Sequence, residues 1–103
     1  MTPVPHLDPV FHQPVRTRLA ALLRRNEQSF AELKVALEIT DGNLDAHMKK
    51  LTAAGYVHSR MVLEGRPHTR YQLSPSGVLA FDAYREALQT VLGPESGTTG
   101  EEF

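Results

Sequence analysis

The chain has 103 residues, the length of one domain with one hydrophobic core. It contains no cysteine, which excludes disulfides, thiolate metal ligands and thiol redox chemistry. No segment approaches the roughly 20 apolar residues of a membrane span. No secretory signal is visible either, because prolines interrupt residues 1–15, so we expect a cytoplasmic protein.

The net charge of −1 combines two segments of opposite sign. Residues 16–70 hold ten Arg or Lys and six Asp or Glu, whereas residues 75–103 hold one Arg and five acidic residues. A basic segment points to an anionic partner. The near-neutral total predicts moderate rather than strong nonspecific affinity for nucleic acid.

The first helix is expected to begin near the start of the chain. Residues 1–8 are predicted to be a flexible segment, and residues 9–92 to form the domain. Asp8 has the form of a helix cap with Pro9 at the first helical position. From there to about Asn26, a helical period is kept by Val15, Leu19, Leu22 and Leu23.

A second helix begins at a capping box. In Ser29-Phe30-Ala31-Glu32 the serine hydroxyl can accept from the Glu32 backbone N–H while the glutamate bonds back to the serine. The apolar residues predicted to be buried by this helix are Phe30, Leu33 and Leu37.

A third helix is predicted after Thr40, whose hydroxyl can cap it, and Gly55 can end it in a left-handed conformation. Its apolar side comprises Leu44, Met48 and Leu51, which are expected to face the core. The opposite side carries Asn43, Ala46, His47 and Lys50. The third helix is therefore amphipathic, with a polar side for a partner.

Residues 56–64 and 69–74 predict a β-hairpin around the loop Gly65-Arg66-Pro67. The candidate inward residues are Val57, Met61, Leu63, Tyr71 and Leu73. Pro67 is expected to restrict the second strand to a sheet edge. Arg66 and Arg70 place positive charge at or beside the hairpin tip.

A last helix is predicted from Ser74-Pro75 to Leu92, where Gly93-Pro94 stops it. Its apolar stripe is broader than a lone surface helix requires, which favours a homodimer formed through this helix. The expected dimerisation residues are Val78, Phe81, Tyr84, Leu88, Val91 and Leu92. Residues 93–103 are acidic and poor in apolar groups, so we expect a disordered tail.

Several motifs occur together in one order. They match the patterns "LTDGNL..H...L...GYV" and "GRP.T.Y.L(T/S)P.G" at Ile39 to Leu44, His47, Leu51, Gly55 to Val57, Gly65 to Pro67, Thr69, Tyr71, Leu73 to Pro75 and Gly77. Over residues 7–92 the chain resembles compact winged helix-turn-helix transcriptional regulators in the MarR and ArsR neighbourhood. The resemblance implies an α+β, mainly helical fold with a three-helix core, a β-hairpin wing and a C-terminal dimerisation helix.

The resemblance also implies a homodimer that places one recognition helix per subunit in the major groove of double-stranded DNA. An asparagine amide can exchange two hydrogen bonds with adenine, so Asn43 is the first candidate for base readout. The full predicted DNA-contacting set is Thr40, Asp41, Gly42, Asn43, Ala46, His47, Lys50, Arg66, His68 and Arg70.

Two residues depart from the family pattern. Glu38 stands in the turn where relatives usually have glycine, and a left-handed glutamate costs about 1 kcal/mol. Asp45 stands where relatives often have a small hydroxyl residue, so its carboxylate either repels phosphate or pairs with Lys49.

Other functions are weaker interpretations. The five histidines are scattered, and no phosphate-binding loop or nucleophile motif is present, so we expect no metal, no cofactor and no enzymatic activity. A small-molecule effector stays open, although no pocket residues can be named. Arg16 and Arg18 are interpreted as surface residues of the first helix rather than DNA ligands, and the alternative for the hairpin arginines is protection of a sheet edge. The rival hypothesis is a winged-helix protein-interaction module, in which the third helix or the wing contacts protein rather than DNA.

Overall fold

The computed structural model describes residues 5–93, which form four helices and a three-stranded antiparallel sheet. The elements in chain order are α1 (Pro14–Arg25), β1 (Gln28–Ser29), α2 (Phe30–Leu37), α3 (Asp41–Ala53), β2 (Val57–Val62), β3 (His68–Leu73) and α4 (Pro75–Leu92). This is the predicted winged helix-turn-helix. The predicted disordered tail lies outside the described residues from Pro94 onward, as do residues 1–4 of the predicted N-terminal segment.

The first helix begins later than predicted. The Asp8 side chain accepts from the Val10 N–H at 2.9 Å and its carbonyl accepts from the Phe11 N–H at 3.1 Å, so Asp8 caps one turn and not a helix. The helix starts at Pro14, with the Gln13 side chain accepting from the first turn. The helix start predicted at Pro9 is wrong, because the turn directs Phe11 into the core, where it is fully buried.

The second and third helices form as predicted. Ser29 and Glu32 make both bonds of the capping box, at 3.1 and 2.8 Å. Glu38 ends α2 in the left-handed conformation with φ 54°, a strain of about 1 kcal/mol. The Thr40 hydroxyl accepts from the Asn43 N–H at 3.2 Å and caps α3. The turn between the helices is therefore fixed by local hydrogen bonds at both ends.

The third helix ends in a Schellman motif. The Gly55 N–H donates to the Thr52 carbonyl at 2.9 Å and the Tyr56 N–H donates to the Leu51 carbonyl at 3.0 Å. Gly55 has φ +80°, which confirms its predicted left-handed role. The chain leaves α3 in a fixed direction and enters β2 within two residues.

The sheet has the order β1-β3-β2, so β3 is its central strand. The prediction that Pro67 restricts β3 to an edge is wrong, because β3 begins at His68 and the missing N–H of Pro67 lies outside the ladder. The short β1, which the sequence did not reveal, pairs Gln28 with Tyr71. It ties the start of α2 to the wing.

Two predicted inward residues of the hairpin are wrong. Met61 is 60% exposed and Leu63 is 74% exposed, whereas Val57 and Leu73 are buried and Tyr71 packs against the core. The reason is geometric: beyond Val57, most of β2 is exposed, so Met61 and Leu63 have no core to pack against.

The core lies between the helices and the base of the sheet. Phe11 stacks on Tyr56 with ring centroids 4.9 Å apart and meets Phe81 edge-on at 5.2 Å. Leu7 packs against the same cluster, so ordered contacts begin before the predicted domain boundary at residue 9. Among the helices of residues 5–93, none has the length and apolar character needed to cross a membrane.

Candidate nucleic-acid interface

The outer side of α3 is a polar surface held on a buried base. Leu44, Met48 and Leu51 are buried, as predicted. On the opposite side Asn43, Ala46 and Lys50 are exposed. Among residues 5–93, no hydrogen bond or ion pair engages the side chain of Asn43 or of Lys50. Their polar groups are therefore available to an external partner.

The first turn of α3 carries one acidic side chain, Asp41, and a stretch of backbone at Gly42 that no side chain covers. The Asp41 carboxylate lies 2.7 Å from the Lys34 ammonium of α2, and both side chains are exposed. A side chain at Gly42 would meet no heavy atom within 4 Å, so a partner can approach the backbone N–H groups closely. Lys34 offsets the negative charge that Asp41 places beside this approach.

Asp45 takes the second of the two roles expected for it. Its carboxylate lies 3.0 Å from the Lys49 ammonium, one turn along α3. Both groups are exposed, so the pair contributes at most about 1 kcal/mol to stability. Its larger effect is electrostatic, because the repulsion between Asp45 and a phosphate is partly cancelled by its neighbour.

His47 differs from the other residues on this side because it is half-buried. Its Nδ1 lies 3.2 Å from the Arg16 guanidinium of α1. Burial and, after it, the Arg16 charge lower the pKa of His47. Arg16 is half-buried, and its contact with α3 goes beyond the prediction of a surface residue. No sequence pattern could have indicated this contact, because the two residues are 31 positions apart.

The wing places Arg66 in its loop, where the residue is exposed. The His68 Nδ1–H donates to the Arg66 carbonyl at 3.0 Å and steadies the loop backbone. The side chain of Arg66 is therefore exposed on a loop whose backbone is held in place.

Arg70 does not lie at the tip, and its predicted availability there is wrong. It stands in mid-strand opposite Arg60, and both guanidinium groups bind the Glu27 carboxylate, at 3.3 Å from Arg70 and 2.7 Å from Arg60. Arg70 also donates to the Glu27 carbonyl at 3.0 Å and reaches Glu32 at 3.3 Å. Arg60 and then Arg70 hold the pKa of Glu27 below its usual value, against the effect of burial. Sequence reasoning missed Glu27.

A groove of about 750 Å³ connects the wing to the helix-turn-helix. Its walls are the start of α2 and the outer half of β3. The charged or titratable side chains that line it are Glu32, Lys34, Asp41, Arg66, His68 and Arg70. The start of α3 and the wing loop therefore belong to one continuous surface.

The predicted dimerisation residues divide into two groups. Phe81 and Tyr84 are each only 4% exposed and pack within the chain's own core, so their assignment to a dimer surface is wrong. Val78 and Leu88 are partly buried against the same core. Val91 is 44% exposed and Leu92 is 75% exposed, which leaves an apolar surface at the end of α4.

A metal centre has no visible basis in this part of the chain. Within residues 5–93, no three His, Asp or Glu side chains lie close enough together to hold a metal ion. The surface instead combines the polar outer side of α3 with the wing loop beside it.

Comparison with known proteins agrees with the winged helix-turn-helix fold described above. The model of the winged helix DNA-binding domain matches residues 15–92. An uncharacterised protein of Methanocaldococcus jannaschii is 39% identical over 77 residues, which are 73% of this chain and 84% of that protein.

Solved structures share the fold. A transcriptional regulator homologue from Pyrococcus horikoshii OT3 superposes with a TM-score of 0.76 at 27% identity, over 81% of this chain and 84% of that one. A MarR family regulator from Enterococcus faecalis V583 gives 0.75 at 22% identity, over 91% and 84%. The chain belongs to the winged helix DNA-binding domain family.

Proposed function

We propose that this protein is a sequence-specific transcriptional regulator that binds a pseudopalindromic DNA operator as a homodimer. The observation that carries the proposal is the outer side of α3. Asn43 and Lys50 are exposed there without partners among residues 5–93, while the opposite side is buried. An α-helix fits the major groove, and these two side chains supply the donors and acceptors that read base edges.

The contacts divide by chemistry. Asn43 is assigned to adenine, since its amide can both donate to N7 and accept from N6. Lys50 is assigned to a guanine edge or a phosphate. The backbone N–H groups around Asp41 and Gly42 face a phosphate, as does Arg66 in the wing. Base contacts would then come from α3, and the flanking contacts would fix its orientation.

The homodimer is proposed from the exposed apolar end of α4. Val91 and Leu92 lie there, and both are exposed. Two subunits paired through α4 would present two copies of α3. Spacing them by about 34 Å, one turn of DNA, would match half-sites of a palindrome.

One observation favours a protein-interaction module as the second candidate. Asp41 and Asp45 point outward from α3, and Glu27 engages two arginines of the sheet, so much of the basic charge of the domain is already neutralised. A protein partner tolerates such a mixed surface better than the phosphate backbone does.

The deciding experiment is a gel-shift titration with the DNA upstream of the protein's own gene, at 50 and 200 mM salt. The regulator hypothesis expects a shifted complex that a specific competitor removes and that weakens with salt. Binding that random DNA competes equally well, or no binding at either salt concentration, would support the protein-interaction module instead.

A further inference from the structure

Arg16 is held at three places by its guanidinium group. The Nε–H donates to the Val10 carbonyl at 2.6 Å, and an Nη2–H reaches the Pro9 carbonyl at 3.4 Å. The remaining nitrogen, Nη1, lies 3.2 Å from Nδ1 of His47. Since α1 and the turn before it fix the guanidinium, its direction toward α3 is fixed as well.

This geometry determines which nitrogen of His47 carries the proton. A guanidinium can donate hydrogen bonds but cannot accept them, so Nδ1 must be the acceptor. A neutral imidazole with a bare Nδ1 carries its proton on Nε2. A protonated imidazole would instead turn an N–H toward the guanidinium, losing the bond and adding a repulsion between like charges.

The position of the second nitrogen connects this contact to DNA. His47 is one turn beyond Asn43 and one turn before Lys50, on the outer side of α3. Within residues 5–93, Nε2 has no hydrogen-bond partner. Among residues 5–93, the charged side chain that contacts His47 from another element is that of Arg16 in α1. A donor is thus oriented on the surface that carries the other readout candidates.

We propose that Arg16 is a positioning residue that holds His47 as a neutral Nε2–H donor toward a hydrogen-bond acceptor on DNA. This inference rests on the proposed function for its DNA part only. Its consequence is that the contact from His47 needs no protonation and persists through neutral pH. The acceptor is either a phosphate oxygen or the N7 of a purine, both of which take one N–H.

The first test uses the full chain without DNA. Long-range ¹⁵N–¹H spectra of the histidine rings identify the tautomer of His47, and a titration gives its pKa. We expect the Nε2–H tautomer and a pKa below about 6.5. Arg16→Gln should raise that pKa and mix the tautomers. The control Arg18→Gln removes an exposed arginine of the same helix, whose side chain hydrogen-bonds only the Ala36 carbonyl among residues 5–93, and should change neither.

The second test separates the two nitrogens in DNA binding. His47→Gln places an amide near Nε2, whereas His47→Asn places one near Nδ1. We expect the Gln variant to retain most of the affinity and the Asn variant to bind roughly five- to tenfold more weakly, the value of one hydrogen bond. Both variants are independent of Arg16, so the test stands even if Arg16→Gln fails to fold.

The acceptor is identified by modified DNA. A methylphosphonate at one position removes a phosphate charge, and a 7-deazapurine removes N7. If one modification weakens binding of the wild type but not of His47→Asn, the group that it removes is the acceptor. If neither modification distinguishes the wild type from His47→Asn, the donor role of His47 is overturned.

The two hypotheses fail separately. A wild-type protein that binds no DNA but shows the Nε2–H tautomer contradicts the proposed function alone. A wild-type protein that binds its operator but shows an Nδ1–H tautomer, or a His47 pKa unmoved by Arg16→Gln, overturns the role of Arg16.

Discussion

Gly77, in the first turn of α4, packs directly against the backbone of Tyr56. A Cβ atom at Gly77 would overlap the Tyr56 carbonyl oxygen and lie 2.9 Å from its carbonyl carbon. The same carbonyl oxygen accepts from the Ser74 N–H at 2.9 Å. The link between α3 and β2 is therefore joined to the start of α4 through backbone atoms, and neither side can yield by turning a side chain.

Gly77→Ala is expected to lower the free energy of unfolding by about 1–3 kcal/mol, the range for an overpacked site, although alanine is the better helix former. Chemical denaturation measures the change. The control is Gly42→Ala, a helical glycine with open space around it, which should be neutral or stabilising by up to about 1 kcal/mol. Equal stability of the Gly77 variant and the wild type would contradict the close packing.

Asn43→Ala and Arg66→Ala are expected to impair DNA binding differently. Loss of the Asn43 amide should relax the preference at one base pair and cost about 1–3 kcal/mol on the preferred sequence. Loss of Arg66 should weaken binding to all sequences and reduce the salt slope by about one. Competition assays on an operator library at several salt concentrations measure both. Identical behaviour of the two variants would show that the division of roles is wrong.

Glu27→Gln is expected to free Arg60 and to loosen Arg70, which keeps its bonds to the Glu27 main-chain carbonyl and to Glu32. Because Arg60 and Arg70 would lose their shared carboxylate, nonspecific DNA affinity should rise, and the salt slope should steepen by about 0.9 for each new phosphate contact. Fluorescence anisotropy with random duplexes over a salt series measures this slope.

The control for Glu27→Gln is Asp82→Asn. It breaks a comparable two-bond ion pair with Arg24, at 3.0 and 3.1 Å, between α1 and α4. We expect no change of salt slope from it. If Glu27→Gln weakened DNA binding instead, the Glu27 carboxylate would hold the wing in its binding position rather than neutralise the charges of Arg60 and Arg70.

A charge at the end of α4 is expected to prevent dimerisation. Leu92→Asp places a carboxylate on the 75% exposed apolar residue, and burying it in an interface would carry a large desolvation cost. Sedimentation velocity at micromolar concentration should change from dimer to monomer. Val35→Asp, a similar change on α2 where Val35 is 77% exposed, should remain dimeric. A wild type that sediments only as monomer contradicts the proposed homodimer.

Lowering the pH is expected to destabilise the fold through His47. Its pKa is lower in the folded state than in the unfolded chain, because of burial and the Arg16 charge. The unfolded chain therefore binds more protons at mildly acidic pH, and the free energy of unfolding falls as the pH drops below about 6.5. Denaturation midpoints at pH 7.5 and 5.5 measure the loss. His47→Gln should reduce it, and an equal loss in both proteins would assign it to other groups.

The sequence alone predicted most of the architecture. Capping boxes and caps act within one helical turn, so Ser29, Thr40 and Ser74 locate three helix starts without tertiary information. The helical period likewise predicted the buried side of α3, because burial there repeats with the same spacing as the residues. The hairpin and the order of elements followed from turn residues and from the family resemblance.

Contacts between distant residues were decided only by the tertiary structure. Phe11 entered the core because Asp8 caps a turn instead of a helix, and Met61 stayed exposed because the wing extends beyond the core. Arg70 forms an ion pair with Glu27 on the sheet, and Arg16 of α1 contacts His47 of α3. Local periodicity determines which side of an element is apolar, whereas the packing of whole elements determines which charges meet. The sequence therefore located the polar side of α3, and the fold determined which of the charged residues around it are already paired.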